Sequence, residues 1–154
     1  MNRLLKLVPE GSLTYRSGCF VGHFKLPLGG ATAVAVPALQ GDKLVLSIPF
    51  REIRGDLTRG LLGPLVKGFW GFISDKIQDI GGRQLARAGL PPDTLAVGKA
   101  RRSDGEVGTV TVCLTRVNQW LARQPTRNLL VWLENLRFDP GHVQIDLGAR
   151  PRGA

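Results

Sequence analysis

Few residues in this sequence could act as a catalytic nucleophile, acid or base. The chain has two histidines, His23 and His142, and two cysteines, Cys19 and Cys113. Cys19 and His23 share one face of a predicted strand, but four residues at about 3.3 Å each separate them by roughly 13 Å. A thiolate and its base must lie within hydrogen-bonding distance. The sequence therefore offers no paired nucleophile and base.

The patterns for metal and phosphate chemistry are also missing. No CxxC or HxxxH spacing indicates a metal site, and the glycines between positions 55 and 71 match neither GxGxxG nor GxxxxGK. Asp75 and Asp79 lie one helical turn apart around Lys76, as on a solvated helix face. We expect a protein that is not an enzyme, with no catalytic residue, no metal and no cofactor.

The most unusual segment is LLGPLVKGFWGFI, residues 61–73, in which Lys67 is the only charge. Its apolar residues would surround a helix, and a helix that is apolar all round must be enclosed. The segment is too short to cross a bilayer. Three interpretations remain: a helix lying in a membrane, the lining of a site for an apolar ligand, or the core helix of a small domain.

Alternation of apolar and polar residues from Leu13 to Phe50 predicts the strands that position this segment. SLTYRS, CFVGHFKLPL, TAVAVPALQ and KLVLSIPFREI each have two distinct faces, and turn residues separate them. This pattern is typical of an antiparallel meander. Pro27, Pro37 and Pro49 remove ladder donors, so we expect edges, bends or bulges in a strongly curved sheet.

A helix is predicted after these strands. Asp56 is suited to cap a helix that begins at Leu57. Apolar residues then recur at steps of three or four as far as Ile80. We expect Gly81-Gly82 to interrupt the helix and to leave a weakly supported last turn before Gly89.

The second half of the chain returns to extended structure. TLAVGKARR and VGTVTVCL predict two strands, and TRVNQWLARQP predicts a short helix. NLLVWLENLRF and HVQIDLGAR predict a closing hairpin around Asp139-Pro140-Gly141. The predicted fold class is therefore α+β, with a curved antiparallel sheet wrapped around one long apolar helix, plus a short helical turn.

Length and composition fit a single domain over residues 1–154, with residues 1–10 and 150–154 loosely ordered. Hydrophobic residues make up 43% of the chain, which argues against a disordered protein. Twenty-one basic and twelve acidic residues give a net charge of +9, which favours anionic partners. The N-terminal apolar run is too short for a signal peptide. We expect a cytoplasmic protein with two reduced cysteines, and peripheral attachment to a membrane is compatible with this location.

The order of elements resembles a half-unit of the tubular lipid-binding (TULIP) superfamily, which includes bactericidal permeability-increasing protein. The similar stretches are KLVLSIPFREIRG, VGTVTVCLTRVNQWLARQP and NLLVWLENLRFDPGHVQIDLGAR, within a span from about Leu13 to Ala149. The likeness is one of element order rather than of a specific motif, and the glycine-rich start of the helix departs from it. The resemblance implies that acyl chains or phospholipid bind between the helix and the concave sheet.

The leading hypothesis is non-enzymatic binding of lipid or another apolar ligand, at anionic membrane surfaces. The residues predicted to line the site are Leu62, Leu65, Val66, Phe69, Trp70 and Ile73. The flanking basic residues predicted to contact headgroups or other anions are Arg51, Arg54, Arg59 and Lys67. The alternative is an assembly module whose apolar helix docks a protein partner or a second copy of the chain. The least favoured hypothesis is a basic nucleic-acid binder, because the aromatic residues fall with the aliphatic ones rather than with the arginines.

Overall fold

The fold combines antiparallel strands with two helices in the part of the chain that this computed structural model describes, residues 12–26, 29–55, 63–103, 105–124 and 128–153. The strands are β1 (Ser12–Arg16), β2 (Cys19–Leu26), β3 (Gly29–Gln40), β4 (Lys43–Pro49), β5 (Arg54–Gly55), β6 (Leu95–Arg102), β7 (Gly105–Cys113), β8 (Leu129–Phe138) and β9 (Val143–Pro151). The helices are α1 (Gly63–Arg87) and α2 (Leu114–Ala122), and short 3-10 turns span Phe50–Glu52 and Pro92–Thr94.

The strands form two sheets. The larger sheet has the order β1-β2-β3-β4-β7-β6, with β5 added beside β3, and β8 and β9 form a separate hairpin. Each pair of strands is antiparallel. The predicted α+β class with an antiparallel meander is confirmed, and an open, curved sheet fits it. The predicted wrapping of this sheet around α1 stays a prediction.

Strand β3 changes partner along its length. It pairs with β2 from Gly29 to Ala35 and with β4 from Val36 to Gln40. Pro37 lies inside β3, opposite Leu46. The β2 ladder has already ended at this point, so proline occupies a stretch with one neighbouring strand, where a missing donor is tolerated. This agrees with the prediction that the prolines mark edges and bends.

The register divides the larger sheet into two chemically different faces. One face, the apolar face, carries Lys99, Arg101 and Glu106 at its β6–β7 end and is otherwise apolar: Leu13, Tyr15, Phe20, Ala31, Ala33, Ala35, Pro37, Leu39, Leu44, Leu46, Ile48, Leu95, Val97, Val110 and Val112. The other face, the polar face, carries Thr14, Arg16, His23, Thr32, Ser47, Arg102, Thr109 and Thr111 among valines and alanines. Side chains alternate between faces along a strand, so period-two spacing separates the two sets.

Helix α1 packs on the apolar face. The core cluster joins Ala31, Phe50, Ile53 and Trp70, and Ile73, Ile77 and Val97 pack against it. Gln78 then fastens the helix to the edge of the sheet. Its side-chain amide donates to the carbonyl of Leu95 (2.7 Å) and accepts from the amide of Val97 (3.1 Å). Two backbone groups of the edge strand β6 are thereby satisfied.

The helix runs through Gly81-Gly82, so the predicted interruption there is wrong. A methyl group at Gly81 would overlap the side chain of Leu95, and Gly82 lies against Pro92. These glycines therefore permit close packing of the helix, at the cost of weaker helix propensity. The predicted stop at Gly89 is confirmed. Gly89 has φ +88°, and its amide and that of Leu90 donate to carbonyls of the last helical turn.

Candidate apolar binding site

The hairpin β8–β9 has one face made only of apolar residues. Cross-strand partners point to the same side of a sheet, so the register shows which side chains share a face. We call the face that carries the apolar side chains the hairpin's apolar face. These are Leu129, Val131, Leu133, Leu136 and Phe138 on β8, with Val143, Ile145, Leu147, Ala149 and Pro151 on β9. The register shifts by one residue between Leu133 and Asn135, and this bulge keeps Leu136 and Phe138 on the apolar face.

Much of this face is open to solvent. Ile145 is 60% exposed and Leu147 is 57% exposed, whereas Leu136 is buried. Large aliphatic side chains lose hydrophobic stabilisation when they remain in water. The alternation in HVQIDLGAR correctly predicts a strand with one polar face, but β9 leaves its apolar face uncovered.

The hairpin meets the larger sheet at its turn. The ring of Phe138 lies 6.1 Å from that of Phe20 and 6.4 Å from that of Tyr15. The Tyr15 hydroxyl donates to the carbonyl of Asp139 (2.6 Å), and the Gly18 amide donates to the carbonyl of Pro140 (3.2 Å). Burial raises the pKa of Tyr15, and Asp139 adds to this effect. Tyr15 and Phe20 belong to the apolar face of the sheet, so the two apolar faces converge here.

Away from this contact both apolar faces keep exposed aliphatic residues. On the sheet, Leu13 is 37% exposed and Leu39 is 45% exposed. Leu39 lies beside the β3–β4 turn, where the carbonyl of Asp42 accepts from the first amide of α2 (2.7 Å). Helix α2 in turn leads into β8. We call the neighbouring pair Ile145 and Leu147 the open apolar surface.

The predicted lining residues fall into two groups. Trp70 is 5% exposed, its ring lies 5.2 Å from that of Phe50, and its Nε1 donates to the carbonyl of Gly98 (2.9 Å). Ile73 packs against the same cluster. Both are therefore core side chains here, and their contact with a ligand stays a prediction. Leu62 and the side chains of Leu65, Val66 and Phe69 lie outside the described part of the chain.

The predicted anion contacts are separated by the fold. Arg51 is exposed in the first 3-10 turn, and Arg54 pairs with Thr32 and so belongs to the polar face. The Nζ of Lys67 lies 3.0 Å from Oε2 of Glu106. The Lys67 hydrogen bond, opposed in part by burial, lowers the pKa of Glu106. Arg59 lies outside the described residues.

The described residues contain no group of three histidine, cysteine, aspartate or glutamate side chains placed to hold a metal ion. Cys19 and Cys113 are both free thiols. No helix in the described ranges combines the length and the apolar character needed to cross a bilayer.

No protein-family model, curated protein or solved structure matches the chain. The resemblance to the tubular lipid-binding superfamily therefore stays a prediction based on element order.

The sequence did not single out Leu13, Leu39, Ile145 and Leu147, which the structure leaves exposed. Their strands are visible as alternating patterns, and the long apolar stretch in NLLVWLENLRF is visible too. Which residues cover the apolar faces of the sheet and of the hairpin depends on where the hairpin packs. Alternation of apolar and polar residues does not predict that position. One signal was available in the sequence: both strands of the predicted closing hairpin carry an apolar face. A hairpin of only two strands rarely buries such a face by itself, so part of it could be expected to stay exposed.

Proposed function

We propose that this chain is a non-enzymatic binder of lipid or another apolar ligand, which lies against the open apolar surface. The observation that carries the proposal is the exposure of Ile145 and Leu147 on the apolar face of the hairpin. Contiguous exposed apolar groups on a folded protein are typical of interaction sites and ligand grooves.

The energetics favour an occupant with an apolar chain. Burying an aliphatic side chain of this size stabilises a complex by roughly 1.5–3 kcal/mol if it was fully exposed before. Ile145 and Leu147 are a little more than half exposed, so each would contribute about half of that amount. An acyl chain could cover both at once, since the two side chains are neighbours on one face of β9.

The net charge of +9 supports a ligand or membrane surface with negative headgroups. The element order that resembles tubular lipid-binding proteins supports the same ligand class. Arg51, Arg54, Arg59 and Lys67 remain the proposed headgroup contacts. Lys67 forms an ion pair with Glu106, and Arg54 lies on the polar face.

Native mass spectrometry of the full chain incubated with palmitate tests the proposal. We expect a one-to-one adduct that the double variant Ile145→Ser/Leu147→Ser loses. The matched control is Val36→Ser, since Val36 is 41% exposed but lies on the polar face. Adducts of equal abundance in all three proteins would contradict the proposed site.

A second candidate function is assembly, and one observation favours it. Strand β9 is an edge of the two-stranded sheet, and it carries the two most exposed large aliphatic residues named above. An exposed apolar edge strand is a template for pairing with another chain. The same spectra decide between the two: a dimer without lipid, lost in the double variant, would support assembly.

A further inference from the structure

A separate concavity lies beside α2 on the hairpin. Its volume is about 350 Å³, and its lining residues are Ala122, Leu130, Val131, Trp132 and Arg150. Leu130 pairs with Arg150 and Trp132 pairs with Gly148, so these three side chains occupy the face opposite Ile145 and Leu147, whereas Val131 belongs to the hairpin's apolar face. We call this concavity the Trp132 groove. It is distinct from the open apolar surface.

The walls of the Trp132 groove are fixed by hydrogen bonds. The Nη2 of Arg152 donates to the carbonyls of Ala122 (2.8 Å) and Gln124 (2.7 Å), and its Nε donates to the carbonyl of Leu129 (3.1 Å). These carbonyls include the end of α2, where a cation is favoured by the helix dipole. Asn118 adds a bond from the amide of Leu133 (2.6 Å). Helix and hairpin are therefore held together on both sides of the groove.

The ring of Trp132 lies over the backbone of β9. A methyl group at Gly148 would overlap the indole, so the ring lies flat against this glycine. The other two tryptophans donate their indole N–H to carbonyls, Trp70 to Gly98 and Trp120 to Ala88. Trp132 is half-buried, and its indole N–H has no acceptor among the described residues and is not enclosed by protein.

Arg150 supplies a second unused donor group. Its side chain is exposed at the rim and makes no ion pair or hydrogen bond within the part of the chain that the structure describes. None of the five lining residues is acidic. The Trp132 groove therefore combines apolar side chains with the guanidinium of Arg150 and the indole N–H of Trp132. A ligand with an anionic group on an apolar body could accept hydrogen bonds from these donors and cover the apolar side chains.

We propose that the Trp132 groove binds a small amphipathic anion, a monocarboxylate with an apolar body about the size of octanoate. The carboxylate bonds to Arg150, and the apolar body lies on Trp132 and Leu130. The concavity is open to solvent and has a volume of about 350 Å³, so it suits a small ligand better than a phospholipid. This inference does not depend on the proposed function, since Leu130, Trp132 and Arg150 lie on the face opposite Ile145 and Leu147.

Titration of the ¹⁵N-labelled full chain with octanoate tests the inference by NMR. The chain has three tryptophans and thus three indole N–H signals, and Trp132→Phe identifies the one from Trp132. We expect that signal alone to shift and to saturate. Arg150→Gln should weaken binding by about tenfold or more, as expected for a lost hydrogen bond to a charged group.

Two controls make the result decisive. Arg101→Gln removes the same charge from an exposed position on β6 and should leave the octanoate affinity unchanged. Unshifted Trp70 and Trp120 signals in Arg150→Gln would show that this variant is folded. The double variant Ile145→Ser/Leu147→Ser should still bind octanoate, even if it loses palmitate.

Three outcomes would overturn the inference. The first is a Trp132 signal that does not move at millimolar octanoate. The second is equal weakening by Arg150→Gln and Arg101→Gln, which would indicate a general charge effect. The third is an equal response to octanol, which would show that the carboxylate is not recognised.

Discussion

Two tryptophans of this protein lie on glycines in similar ways but in different surroundings. Trp70 lies over Gly108 of the larger sheet, and Trp132 lies over Gly148 of the hairpin. Trp70 is buried and its N–H is bonded, whereas Trp132 is half-buried and borders a groove. Trp70 thus packs from helix α1 onto the larger sheet and completes a core, whereas Trp132 packs on its cross-strand partner and leaves a concave surface beside it.

The difference follows from what lies above each ring. Helix α1 carries both Trp70 and Ile73, and Phe50 of the first 3-10 turn packs against the Trp70 ring. Above Trp132 the neighbouring helix is α2, which has nine residues and contributes Ala122 to the groove wall. A short helix with a small residue at the contact leaves space beside the ring. We therefore expect Trp70 to serve stability and Trp132 to serve binding.

Truncation of the two rings should give the largest contrast. Trp70→Ala should lower the free energy of unfolding by about 3–5 kcal/mol, because it opens a cavity in the core. Trp132→Ala should cost roughly 1–2 kcal/mol, since its ring is already partly in water. Urea denaturation measures both values. Equal losses would contradict the assignment of one ring to the core and the other to a binding surface.

Alanine at the two glycines should give the next largest effect. Gly108→Ala and Gly148→Ala each place a methyl group into an indole ring, and overpacking of this kind costs about 1–3 kcal/mol. The smaller loss is expected at Gly148, because the ring of Trp132 can move toward the open groove. Combining Gly148→Ala with Trp132→Leu should cost less than the sum of the single changes. Strict additivity would show that the glycine and the ring do not interact.

An amide side chain joins α1 to the larger sheet, and another joins α2 to the hairpin. Removing either should lower the free energy of unfolding by a smaller amount than the changes above. Gln78→Ala removes two hydrogen bonds to β6, and Asn118→Ala removes one to β8. Each lost bond is worth about 0.5–1.5 kcal/mol, so Gln78→Ala should be the more destabilising change. Hydrogen exchange at the amides of Val97 and Leu133 would locate the loss. Faster exchange at both sites in either variant would indicate global rather than local loosening.

The ion pair between Lys67 and Glu106 should give the smallest effect and a pH dependence. The folded-state pKa of Glu106 lies below its ordinary value of 4.5. The pair therefore stabilises the fold above that pH, and this contribution is lost as the pH falls through the lowered pKa. Lys67→Met should be less stable than the parent at pH 7, and the difference should vanish in acid. A difference that stays constant from pH 7 to pH 3 would contradict this.

The strands and turns could be read from the sequence because their signals are local. Alternation in KLVLSIPF and the Asp139-Pro140-Gly141 turn needs no knowledge of the rest of the molecule. Gly81-Gly82 was misread because its role is tertiary: the close contact with Leu95 outweighs the weak helix propensity of glycine.

The sites were harder to predict than the elements. Trp70 was singled out as a ligand contact, but an aromatic residue in an apolar helix has the same pattern whether it fills a core or lines a cleft. Ile145 and Arg150 were not singled out, because their surroundings depend on long-range contacts. These contacts are the cross-strand register and the points at which α2 and the β1–β2 turn hold the hairpin.

The hairpin is fastened at both ends, by Tyr15 and Gly18 at its turn and by Arg152 at its open end. Ile145 and Leu147 lie between these two attachments, so the strand that carries them is held in place at both ends. A partner that settles on them meets side chains already in place, and little conformational entropy is lost on binding. The two attachments also restrict the movement of β9 away from the larger sheet. They therefore limit the size of a ligand that could bind between the hairpin and the sheet.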